Sequence, residues 1–198
     1  MKLHRLFSSS LLFPFVLLMA LALGACSPQE SSTAAAPAKR ELSLETVAAQ
    51  AKGFSAGSLM STHIAYVFFD AQCPHCGHLW QASVPLHKKV KFVWIPVGMI
   101  NATSTAQGAA LLTAASPVAL MTEHETSLLA GKGGISASAS IAPDVEKAIK
   151  NNTELLNSFG AESVPFIVTK NLKSGQTVSR DGALSTAALA ELLGVDAP

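Results

Sequence analysis

Cysteine, aromatic residues and charge are all scarce in this chain of 198 residues. Three cysteines, one tyrosine and two tryptophans are present. Three thiols are too few for a disulfide-rich scaffold, and an odd count in an exported protein leaves one to account for. Charged residues make up 14 % of the chain, against roughly 25 % in ordinary soluble domains. The formal net charge is +1. That argues against nucleic-acid binding, which usually shows a strongly basic domain or face. No internal repeat is visible, and no apolar run reaches the roughly 18 residues that a membrane-crossing helix needs. The length suits one ordinary domain and hardly two.

What is present begins with a leader. Lys2, His4 and Arg5 make a short basic start, and Leu11 to Ala25 is uncharged and almost wholly apolar. This has the dimensions of a secretory signal. It ends Leu23-Gly24-Ala25-Cys26, which resembles the lipobox of bacterial lipoproteins. The resemblance implies cleavage before Cys26 and lipid on its sulfur. With Ser27 next, it implies anchoring on the periplasmic face of a bacterial membrane, the outer one. Residues 1–25 are then the signal peptide. Residues 26–45 are a flexible tether, since Ser27 to Arg40 is rich in Ser, Ala and Pro without periodicity.

Residues 46–198 remain for one domain. A first helix is expected within 41–51. His63 to Asp70 carries the apolar, β-branched and aromatic run of a strand buried on both faces. Leu79, Trp80, Val84 and Leu86 suggest a helix kinked at Pro85. Val90 to Met99 reads as a second strand. Residues 103–134 look helical and Ala-rich, with Ser116-Pro117 as a cap and first helical position. A further helix over Pro143–Phe159 stops at Gly160. Strands are expected at 164–169 and 177–179, and a closing helix at 184–193. The order is α/β, with a helical block at about 103–160 inserted into it.

The chemistry sits in Cys73-Pro74-His75-Cys76, where the first strand gives way to a helix. At a helix cap, free N–H groups and the positive dipole end stabilise a thiolate. Pro74 at the first helical position loses no hydrogen bond. Cys76, three residues on, lies within disulfide reach. The expectation is an exposed, attacking Cys73 with a depressed pKa, tuned by Pro74 and His75, and a buried resolving Cys76. In this strand–helix pattern a Cys-x-x-Cys reads as a thioredoxin-like redox motif. Neither a cofactor nor a metal is called for.

Phe69-Asp70-Ala-Gln-Cys73-Pro-His-Cys76 followed by His78-Leu79-Trp80 resembles the active-site segment of the bacterial Dsb thiol–disulfide oxidoreductases. The body is most similar to the catalytic domain of DsbG and DsbC. The Pro74-His75 dipeptide and Val164 are similar to DsbA. The resemblance implies a thioredoxin-like fold, cysteine-containing protein substrates and a partner protein that resets the disulfide. It implies a cis-proline loop at Val164-Pro165 that binds substrate backbone. The stretch ahead of the first strand is too short for the dimerisation domain of DsbG and DsbC, so a monomer is expected. Asp70 is either a proton-relay carboxylate near Cys76 or a strand-ending cap, and the residues leave both open. Tyr66, Trp80 and Trp94 read as core. His63, His78, His87 and His124 read as surface or packing residues.

An oxidising disulfide exchanger is the expected function, with a DsbG-type isomerase or reductase as the alternative. A copper chaperone using Cys73, Cys76 and His78 is a further class, although a structural metal site wants more ligands. An inert disulfide in a lipoprotein adaptor is another.

Overall fold

The computed structural model describes residues 41–198. The leader, most of the tether and Cys26 lie outside the described residues. Helix α1 (Leu44–Gln50) is capped by Ser43, whose hydroxyl accepts the Thr46 N–H. Strand β1 (Phe54–Gly57), a four-residue strand, was not expected from the sequence pattern. Strand β2 (Ile64–Asp70) leads into α2 (Pro74–Ser83), and a single 3-10 turn over Val84–Leu86 accommodates Pro85. Strand β3 (Lys91–Val97) follows.

The expected helical stretch at 103–134 is two helices, α3 (Ala102–Thr113) and α4 (Pro117–Leu129). Asn101 starts α3 with a capping box shared with Ser104. Helix α5 (Pro143–Ser158), strands β4 (Phe166–Lys170) and β5 (Thr177–Asp181), and helix α6 (Thr186–Leu193) complete the domain.

The sheet order is β1-β3-β2-β4-β5. Only β2 and β3 run parallel; β1, β4 and β5 pair antiparallel with their neighbours. Period-two alternation divides β2 between two cores. Ala65, Val67 and Phe69 face Leu79 and Trp80 of α2, Met121 of α4 and Leu189 of α6. Tyr66 and Phe68 face Val47 of α1 and Leu155 and Leu156 of α5. Both faces are covered, which is why β2 reads as a continuous apolar run. Trp80 and Trp94 meet edge to face at 5.1 Å, and both are buried as expected. Pro96 is tolerated inside β3 because the pairing with β1 does not extend past Trp94.

Candidate active site

Chain direction places the site. Strand β2 ends at Asp70 in the middle of the sheet, and its helix α2 starts four residues later. Cys73 is the N-cap of α2 and Pro74 the first helical residue. The Cys73 carbonyl accepts the N–H of Cys76 at 2.9 Å, which closes the first turn and brings the two cysteines to one side. Both thiols are free. Cys76 is fully buried and Cys73 is 4 % exposed. The expected open Cys73 is thus corrected: its neighbours Pro74 and His75 are exposed, but its own sulfur lies under the loop before β4. There the Cys73 thiol donates to the Val164 carbonyl at 3.4 Å. The Val164–Pro165 peptide bond is cis.

The two sulfurs are driven apart electrostatically. The Cys73 thiol is pulled down to about 7, first by a hydrogen bond from the Cys76 thiol, then by the backbone N–H groups of Cys76 and His75. Burial and the Asp70 charge oppose this. Cys76 is pushed well up, chiefly by burial, and it serves as the donor to Cys73. His75 acts on the sulfur through its backbone; its imidazole is exposed and lies 6.4 Å from that of His78, ring to ring. The arrangement gives one sulfur that is a thiolate near neutral pH and one that holds its proton until exchange calls for it.

Asp70 resolves the choice left open by the sequence. Its carboxylate accepts the N–H of Gln72 at 2.8 Å, of Met99 at 2.7 Å and of Ile100 at 3.0 Å. It clamps the end of β2 to the loop between β3 and α3. Its charge acts on Cys73 against thiolate formation. Among the described residues no three His, Cys, Asp or Glu side chains gather as metal ligands. Cys73, Cys76 and His78 are therefore not assembled as a donor set.

Helix α4 is tied directly onto this loop. His124, fully buried, donates from Nε2 to the Ala71 carbonyl at 2.6 Å and accepts the Ile135 N–H at Nδ1. That pair of bonds fixes a neutral imidazole, in keeping with burial lowering its pKa. Gln72 and Gln107 both donate to the Gly133 carbonyl. The next residue on α4, Glu125, is 1 % exposed. Its carboxyl lies against Gly77, where a Cβ would stand 2.5 Å from Oε2. Sequence reasoning missed this residue. The available signal was its place on one stripe with Met121 and Leu128, at helical spacing.

No protein-family model matches the chain. Among curated proteins it is 34 % identical over 141 residues to the thiol:disulfide interchange protein DsbG of Pseudomonas aeruginosa. That match covers 70 % of this chain and 54 % of the relative. It is 32 % identical over 106 residues to DsbG of Escherichia coli, covering 52 % of this chain and 42 % of the relative. The fold is shared with a periplasmic thioredoxin-like protein of Salmonella enterica serovar Typhimurium. There the TM-score is 0.60 at 15 % identity, covering 78 % of this chain and 97 % of that one. Over these residues the chain is similar to the bacterial Dsb proteins, and its fold is thioredoxin-like. It spans about half the length of the Dsb relatives it matches. The thioredoxin-like fold read from the strand and helix order stands, with α3, α4 and α5 as the helical block.

Proposed function

We propose that this protein is a thiol–disulfide oxidoreductase of the Dsb type. It exchanges disulfides with cysteine-containing protein substrates through a mixed disulfide at Cys73. The observation that carries this is the split of one Cys-x-x-Cys pair into a cap thiol near neutral pKa and a buried proton-holding partner. A substrate thiolate attacks Cys73 of the disulfide, Cys76 leaves, and a second substrate thiolate releases the product. The reverse sequence reduces a substrate. Val164 and Pro165 are the residues we assign to substrate backbone, because the Val164 carbonyl already faces the reactive sulfur. Pro74 and His75 tune it by starting the helix there.

The test is a Cys76→Ser variant with Cys73 retained. It is expected to accumulate covalent complexes with cysteine-bearing proteins in the cell, released by reductant. Cys73→Ser is expected to show none. A Cys76→Ser protein that captures no partner would contradict the exchange reading.

A stabilised thiolate makes the disulfide oxidising, so we read the net direction as disulfide donation. The DsbG relatives keep isomerase or reductase action as a second reading. Equilibration with glutathione separates them. A potential near that of thioredoxin, about −270 mV, would make the protein a reductase. The Cys26 lipobox supports a lipid anchor facing the periplasm on the outer membrane, where a partner protein resets the disulfide.

A further inference from the structure

Glu125 is the buried titratable group that the exchange chemistry above leaves without a task. Neither of its carboxyl oxygens has a hydrogen-bond partner among the described residues, and both are out of contact with solvent. Burying a polar group unpaired costs about 1–3 kcal/mol, and more when it is charged. The carboxyl rests on Gly77, the residue after Cys76, with Leu129 beside it. Any side chain at Gly77 would push the carboxyl away. A mid-helix glycine is itself unfavourable by roughly 0.5–1 kcal/mol against alanine. Two locally unfavourable choices therefore meet at one contact, one residue after the resolving cysteine.

We propose that Glu125 takes the Cys76 proton when that sulfur attacks the mixed disulfide, and returns it when exchange runs the other way. The inference rests on the exchange reading above. The Glu125 carboxylate, free of other partners, closes on the Cys76 S–H and takes its proton. The resulting thiolate attacks Cys73 Sγ, the Cys73–Cys76 bond forms, and the bond from Cys73 to the substrate sulfur breaks. The electron pair leaves on the substrate as a thiolate. In the other direction a substrate thiolate attacks Cys73, the pair comes to rest on Cys76 Sγ, and the Glu125 carboxylic acid protonates it. No outside oxidant or reductant enters either step.

The electrostatics fit this task. Burial first, and then the Cys73 thiolate, push the Glu125 carboxyl up to about 8, so both of its forms are accessible near neutral pH. Its charge in turn acts on Cys76. The titratable groups around it are few. Helix α2 offers Cys73 and Cys76, with His75 and His78 exposed, and α4 itself adds Glu123 and the neutral His124. Helix α3 and strand β1, also packed on α4, carry none. Asp70 is no competitor, because three backbone N–H groups occupy its carboxylate.

The test follows the reduced full chain with oxidised glutathione as probe, using acid quench and mass spectrometry between pH 5 and 9. Glu125→Gln is expected to form the Cys73–glutathione adduct within about threefold of the wild-type rate. It is expected to resolve that adduct at least tenfold more slowly at pH 7. Wild-type resolution should level off above about pH 8, whereas the variant should keep climbing tenfold per pH unit. Glu125→Asp should recover part of the rate. Resolution within twofold of wild type, with an unchanged pH profile, would overturn the proposal while leaving exchange at Cys73 intact. No adduct in either protein would overturn the exchange reading itself. Should Glu125→Gln fail to fold, the wild type labelled with carboxyl-13C glutamate answers by NMR. One glutamate is expected to titrate near 8 in the reduced state; all of them titrating below about 5 would refute the relay.

Discussion

A Glu125→Leu variant is expected to be more stable than the wild type by on the order of 4 kcal/mol at pH 8, and by only about 1 kcal/mol at pH 5. The reason is linkage. The unfolded chain releases the Glu125 proton near the ordinary value of about 4.3, whereas burial holds it in the fold up to about 8. A group whose folded pKa is raised contributes its full stability below the unfolded value. That contribution is lost as pH rises through the folded one. Leucine removes both the titration and the unpaired oxygens. His63, His87 and His124, all with pKa lowered by burial, destabilise the fold below about pH 6.5 in either protein. The comparison must therefore be variant against wild type at each pH, from denaturant midpoints of the reduced forms. A difference that stays flat from pH 5 to 8 would show that Glu125 is an ordinary carboxylate. With the resolution kinetics, this tests whether the protein holds a costly group at the site for its chemistry.

The parts of this site that are local in sequence were legible there. The apolar run of β2, the Cys-Pro-His-Cys turn after it and the Val164-Pro165 strand start each announce their structure within a few residues. What escaped depends on contacts between distant segments. Strand β1 is a strand because Phe54 to Gly57 register against Trp94 to Lys91, and four residues that follow one glycine and end in another carry little pattern of their own. Asp70 was ambiguous because its partners, Met99 and Ile100, come from the next strand's exit. Glu125 looked like one more polar residue of an Ala- and Thr-rich helical stretch. Its meaning appears only when His124 anchors α4 to Ala71 and swings the neighbouring carboxyl onto Gly77. The histidine read as a surface or packing residue; it is buried, and the packing it provides is what places the acid.

The most direct measurement is the pH profile of alkylation of the reduced protein by iodoacetamide, with the labelled cysteine identified by mass. The thiolate is the reacting species. A sulfur with pKa about 7 carries roughly thirtyfold more thiolate at pH 6 than an ordinary cysteine near 8.5. Its weaker intrinsic nucleophilicity offsets part of that, leaving a gain of about fivefold. Labelling is expected at Cys73 alone, half-maximal near pH 7, and lost in Cys73→Ser, while Cys76 stays unlabelled until well above pH 9. Half-maximal labelling at or above pH 8.5, or labelling of Cys76 before Cys73, would contradict the division of labour between the two sulfurs.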